Sequence, residues 1–272
     1  MKTNLKKENP IGIFDSGIGG LTVAHAIKNH LPNEQLIYFG DTAHLPYGDK
    51  EPYSIKHYSV EIAKFLLKRK CKLIVIACHT ASSIAYKEVK RIVGNQAIVI
   101  NVVDPVVKLM TKIEKSKAVG VIGTKGTIKS DVYRKKIGEE NNQLLVKSLA
   151  TPLLCPMIEE GFINDKISQT VIDSYLSDEK LSEIEHIILA CTHYPLIKKQ
   201  ISSYYKNQVN VIDSAEVVAE HVARLLKEKG LLSEAQLLPH HFYVSDYTKS
   251  FEKSTRFFFK EKIKLEKGSI WS

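Results

Sequence analysis

Seven short, mostly aliphatic runs recur along the chain: IGIF at 11–14, QLIYFG at 35–40, KLIVIA at 72–77, AIVIN at 97–101, AVGVIG at 118–123, HIILA at 186–190 and VNVID at 209–213. Several are apolar on both faces. Such Val/Ile-rich runs suit strands of a parallel sheet covered by helices on each side, whereas a half-exposed antiparallel strand would alternate. The stretches between them are amphipathic. Residues 52–69 place Ile55, Tyr58, Ile62, Phe65 and Leu66 at helical spacing, with Pro52 near the start, where a first helical turn accepts proline. The repeating unit is strand, helix, strand, which predicts an α/β fold built on mainly parallel sheet. With 272 residues, 44% of them hydrophobic, the chain can fill a large core as one domain or as two lobes.

A longer repeat favours two lobes. The segment IGIFDSGIGG at 11–20 can be laid on VGVIGTKGTI at 119–128 with Ser16 over Thr124. Each precedes an apolar run ending in Ala-Cys: LIVIACHTA at 73–81 and IILACTHYP at 187–195. Two similar α/β lobes related by a pseudo-two-fold axis follow, each a mainly parallel sheet flanked by helices, with the active site between them. No Pro/Gly/Ser-rich linker separates the halves, so the crossover is expected near NVVDP at 101–105 and a return near VIDSAE at 211–216. This assigns residues 1–100 with 214–272 to the first lobe and 101–213 to the second.

Charge and cysteine content narrow the function classes. The 39 Lys+Arg against 30 Asp+Glu give a net charge of +9, but the lysines are scattered through helical segments rather than gathered with aromatics into one stripe. A solvated surface is the better reading, and no nucleic-acid partner is required. No run approaches the length of a membrane span, and MKTNLKKENP lacks a following apolar segment, so a cytoplasmic protein is expected. The four cysteines, Cys71, Cys78, Cys155 and Cys191, include no C-x-x-C pair and read as reduced thiols.

In open parallel sheets, ligands sit beyond the carboxyl ends of the strands, where both Ala-Cys ends belong. Two lobes face to face would bring Cys78 and Cys191 to one small ligand from opposite sides. That arrangement suits inversion at a carbon acid: one thiolate removes the α-proton of an amino acid and the opposite thiol returns a proton to the other face. An ordinary thiol titrates near pH 8.5, about where neighbouring groups can tip it either way. Asp15 and His193 are the expected assistants of Cys78 and Cys191, respectively. Hydroxyls and N–H groups of Ser16, Thr80, Thr124 and Thr192 are candidates to stabilise charge on the α-carboxylate.

Other readings are weaker. Cys71 and Cys155 lack the Thr and His that follow the other two cysteines and read as structural. Gly17, Gly19 and Gly20 suggest a dinucleotide loop, but Thr22 occupies the third glycine position of G-x-G-x-x-G. GTKGT lacks the Gly-Lys-Ser/Thr order of a phosphate loop. Zinc ligation by ACHT and ACTH would predict a hydrolase with bound metal, but a thiol beside a hydroxyl is poor spacing for a closed tetrahedral site, so no metal is expected.

An ordered series of segments resembles the glutamate racemases of the aspartate/glutamate racemase superfamily: IGIFDSGIGGLTV, YFGDTAHLPYG, ACHTAS, GVIGTKGTI, EEG at 159–161, LACTHYPL, VIDSA and FYVSD. Together they cover most of the chain. The resemblance implies a cofactor-independent enzyme that interconverts L- and D-glutamate and supplies D-glutamate for peptidoglycan, with no pyridoxal phosphate, nicotinamide or metal. It implies that Cys78 deprotonates D-glutamate and Cys191 deprotonates L-glutamate, assisted by Asp15 and His193. Asp15, Ser16, Tyr47, Gly48, Thr80, Thr124, Thr192 and His193 match substrate contacts, Pro46 shapes their loop, and Asp41 and Glu159 are auxiliary acids. Homodimers are common among such enzymes. The family usually has Asn after the first catalytic cysteine. Here His79 stands in that place, so it is expected to contact substrate and to shift the pH profile. Two alternatives remain: an aspartate or other amino-acid racemase of the superfamily, and a catalytically minor gyrase-binding protein, since some glutamate racemases inhibit DNA gyrase. The intact cysteine pair argues against the second.

Overall fold

The computed structural model describes residues 5–113, 116–234 and 238–271. Among the described residues ten strands form two sheets. The first contains β1 (Ile11–Asp15), β2 (Leu36–Gly40), β3 (Leu73–Ile76), β4 (Ile98–Asn101), β9 (His241–Val244) and β10 (Leu265–Lys267), in the order β10-β9-β2-β1-β3-β4. The second contains β5 (Ala118–Gly123), β6 (Leu145–Ala150), β7 (His186–Ala190) and β8 (Asn210–Asp213), in the order β6-β5-β7-β8. Every pairing is parallel. The inner order β2-β1-β3-β4 recurs as β6-β5-β7-β8, so the repeat of the two Ala-Cys strands is a repeat of topology.

Strand alternation divides the core. Ile11 and Ile13 of β1, Leu73 and Val75 of β3, and Ile187 and Leu189 of β7 share one apolar cluster that draws on both sheets. The intervening residues face away: Phe14, Ile74 and Ile76 into a second cluster, Ile188 and Ala190 into a third. Both faces of the central strands are therefore dry, as their sequences predicted.

The helices follow the same economy. Helix α1 (Leu21–His30) covers the shared cluster, and α2 (Pro52–Lys68) begins at its proline and buries Ile55, Ile62, Phe65 and Leu66. Helix α3 (His79–Val93) follows β3, and α4 (Asp104–Met110) follows β4. In the second sheet, α5 (Lys125–Ser130) and α6 (Val132–Glu140) follow β5, and α7 (Leu154–Glu159) follows β6. The helix Ser214–Glu228, carrying Val218, Val222 and Leu226 in the shared cluster, packs on α1. Among the described residues no helix is long and apolar enough to cross a membrane.

Candidate active site

The carboxyl ends of β1, β3, β5 and β7 open on one cavity of about 180 Å³, where a single water needs roughly 10–15 Å³ of such space, so the cavity has room for a small metabolite. The first sheet contributes Ser16, Cys78, His79 and Thr80 to its wall, and the loop after β2 contributes Pro46, Tyr47 and Gly48. The second contributes Thr124, Glu159, Cys191, Thr192 and His193, with Cys155 beside them. Among the described residues no arginine lines the cavity. Its one lysine, Lys125, is 63% exposed and lies 3.7 Å from Asp49.

Cys78 lies just past β3 and caps α3, its sulfur accepting the Ala81 N–H at 3.4 Å. The Sγ lies 3.7 Å from Ser16 Oγ. Burial, reinforced by the Asp15 carboxylate, pushes the Cys78 thiol up to about 12. Asp15 itself is wholly buried and stands behind the wall rather than in it. Its Oδ2 accepts the N–H groups of Gly17 at 3.2 Å and Gly20 at 3.0 Å, while Oδ1 has no hydrogen-bond partner among the described residues. Burial raises the Asp15 pKa, opposed by the charge of His193. Asp15, expected as a substrate contact, thus lies behind the cavity wall, where its charge is felt at Cys78.

Cys191 follows β7 directly and has different neighbours. Its Sγ is 3.7 Å from His193 Nδ1 and 3.2 Å from Cys155 Sγ. On the far side of the ring, His193 Nε2 lies 2.8 Å from Glu159 Oε1. Burial disfavours the imidazolium, yet Cys191 and Glu159 together outweigh it and push His193 up to about 10. Burial and the Cys155 thiol hold Cys191 well above the ordinary thiol range, against the pull of His193.

Hydroxyls join the two halves. Thr80 Oγ1 is 2.9 Å from Thr124 Oγ1 and 3.2 Å from Thr127 Oγ1, and the Thr22 hydroxyl donates to the Thr192 carbonyl at 2.8 Å. Such close approach needs glycine: a Cβ on Gly19 would lie 2.4 Å from the His193 ring, and one on Gly48 would lie 2.9 Å from Thr124 Cβ. Asp41 does not reach the cavity. It holds the loop that does, accepting Tyr47 Oη at 2.7 Å, Ser245 Oγ at 2.8 Å and Trp271 Nε1 at 3.0 Å.

His79 stands in the cavity wall, but its ring stacks toward buried Tyr133, with centroids 6.5 Å apart, and among the described residues neither nitrogen has a hydrogen-bond partner. Burial pushes it down to about 3, so the near-neutral titration of an ordinary imidazole is lost. Four residues absent from the sequence reading of the site bear on it: Cys155 in the wall, and behind the wall Thr22, Thr127 and Gly19, the seat of His193. The T-x-x-T spacing of Thr124 and Thr127 was the available signal for one of them. Nothing local marks Cys155, because its closeness to Cys191 is purely tertiary.

Paired parallel sheets with a thiol-lined cavity at their carboxyl ends define an α/β enzyme of two lobes. Residues 21–222 match the Asp/Glu/Hydantoin racemase family. A glutamate racemase of Chlorobaculum parvum is 45% identical over 252 residues, 92% of each chain. A Francisella tularensis glutamate racemase, crystallised in complex with D-glutamate, superposes with a TM-score of 0.90 at 38% identity, covering 97% of this chain and 98% of that one. The Thermus thermophilus glutamate racemase in complex with beta-chloro-D-alanine gives 0.87 at 35% identity over 97% and 98%. The chain belongs to the Asp/Glu/hydantoin racemase family and is an isomerase.

Proposed function

We propose that this chain interconverts L- and D-glutamate without a cofactor, by proton transfer between Cα and two cysteines. One observation carries the reading: Cys78 and Cys191, at the ends of topologically equivalent strands in separate sheets, line a single small cavity. In this reading Cys78 takes the α-proton of D-glutamate while the Cys191 thiol supplies the opposite face, and the roles reverse for L-glutamate. The Asp15 carboxylate draws the proton from Cys78, and the His193 imidazolium, backed by Glu159, stabilises the Cys191 thiolate. Hydroxyls of Ser16, Thr80, Thr124 and Thr192 meet the carboxylates, where negative charge grows as the proton leaves. Pro46, Tyr47 and Gly48 close the cavity, braced by Asp41, and His79 serves as a neutral wall.

The lobe boundaries, residues 1–100 with 214–272 and 101–213, belong to the same reading, as do a cytoplasmic location and a role in supplying D-glutamate to peptidoglycan. Identity of 38–45% to several glutamate racemases supports glutamate over aspartate. Incubation of each glutamate enantiomer in heavy water tests the mechanism: both directions should give product carrying deuterium at Cα. Unlabelled product in either direction rejects it. Following inversion of glutamate and aspartate side by side by circular dichroism tests the substrate.

A further inference from the structure

Cys155 is the wall thiol for which the proposed reaction has no use. It approaches Cys191 Sγ to 3.2 Å, and the ligand atoms of Cys155, Cys191 and His193 all lie within 4.8 Å of one another. A tetrahedral zinc ion, with bonds of about 2.3 Å to sulfur and about 2.0 Å to nitrogen, sets its sulfurs roughly 3.8 Å apart and each sulfur roughly 3.5 Å from the nitrogen. The observed 3.2 Å between sulfurs and 3.7 Å from Cys191 Sγ to His193 Nδ1 lie within a small side-chain adjustment of those edges.

The surroundings of the ring are also those of a metal ligand. Histidines that bind through one nitrogen commonly donate the other N–H to a carboxylate, which fixes tautomer and orientation. His193 turns Nδ1 toward the Cys191 sulfur at 3.7 Å and Nε2 toward Glu159 Oε1 at 2.8 Å. Two sulfurs, an oriented imidazole and a fourth position facing the cavity match a three-ligand open zinc site.

We propose that Cys155, Cys191 and His193 form a binding site for a thiophilic divalent cation, Zn²⁺ foremost, that competes with the reaction for Cys191. The two thiols release their protons to solvent as the S–metal bonds form, His193 binds through Nδ1 with its proton on Nε2, and nothing is oxidised or reduced. The ion is an inhibitor rather than a resident cofactor, because it occupies the electron pairs of a sulfur that must be free to exchange a proton. That inhibitory consequence rests on the role proposed for Cys191. The binding site does not.

The test titrates the reduced, metal-free enzyme with Co²⁺ in a phosphine reductant that spares the thiols. One equivalent should produce thiolate-to-cobalt charge-transfer absorption and tetrahedral d–d bands, both bleached by one equivalent of Zn²⁺. Cys155→Val, checked by its melting curve, should abolish the stoichiometric band. Glu159→Gln should weaken metal affinity about 10- to 100-fold, as loss of a carboxylate behind a ligating histidine does. No band in the wild type, or an unchanged band in Cys155→Val, overturns the site. Stoichiometric Zn²⁺ should also stop racemisation until a chelator is added. Stoichiometric binding without inhibition would uphold the metal site and overturn Cys191 as a base.

Discussion

Cys78 and Cys191 occupy corresponding places in two sheets of the same strand order, yet their surroundings are unlike. After β3 the chain enters the 15-residue helix α3, so Cys78 receives a backbone N–H at the start of a long helix, with Asp15 buried behind it. After β7 it makes only a short turn, Tyr194–Ile197, and an imidazole backed by Glu159 stands beside Cys191 instead. A helix start and an imidazolium both favour a thiolate. The fold thus fixes where each sulfur goes, while the local chain decides how it is charged, and two different solutions serve equivalent positions.

The largest effects should come from the sulfurs themselves. Cys78→Ser and Cys191→Ser are each expected to lower kcat/KM by about 10²- to 10⁴-fold, the usual contribution of a positioned acid or base. Enantiomers have equal free energies, so kcat/KM must fall equally in both directions. The difference between halves should appear in isotope effects. Deuterium at Cα should slow Cys78→Ser mainly from D-glutamate and Cys191→Ser mainly from L-glutamate. Equal isotope effects in both directions for either variant would break the assignment of one sulfur to each face.

The supporting acids should rank by burial. Asp15→Asn, removing a wholly buried carboxylate, should cost about 100-fold in kcat, and Glu159→Gln, whose side chain is 38% exposed, about tenfold. The reverse ranking in steady-state kinetics would mean that the imidazole side bears the heavier load. Gly19→Ala sharpens the point, since its methyl must displace the His193 ring; a loss of about tenfold in kcat, with a shifted ring in a crystal structure, is expected.

The smallest effect concerns the residue after each cysteine, His79 on one side and Thr192 on the other. An unfolded histidine titrates near 6.5, whereas burial pushes His79 down to about 3. Between those values the unfolded chain binds a proton that the folded one does not. His79 therefore withdraws stability as pH falls below about 6.5, by up to about 1.4 kcal/mol per pH unit until its folded pKa is reached. Melting temperatures from pH 7 to 4.5 should drop less steeply in His79→Asn. Parallel curves would show that the ring is charged in the fold.

Of the seven strands, β1, β2, β3 and β5 are buried along their whole length, and such strands are readable because a strand buried on both faces has little room for a polar residue. The strands that escaped notice lie at sheet margins. Leu145 of β6 is exposed and Lys147 interrupts its apolar run, while β9 and β10 are short and carry half-buried positions. In the site, motif residues such as Ser16, Thr80 and Thr124 reached the cavity wall. The depth of Asp15, the place of Asp41 behind its loop and the meeting of Cys155 with Cys191 depend on packing between segments far apart in the chain, which no local pattern encodes.

The absence of arginine among the described wall residues bears on turnover. To a carboxylate, a guanidinium would add a full opposite charge and a bidentate fork that neutral hydroxyl and N–H donors lack. For a reaction whose product is the mirror image of its substrate, a tighter clamp would hold both equally and slow departure as much as it aided arrival. In the proposed mechanism, a grip of modest strength, distributed over several threonines, would keep the exit open in either direction.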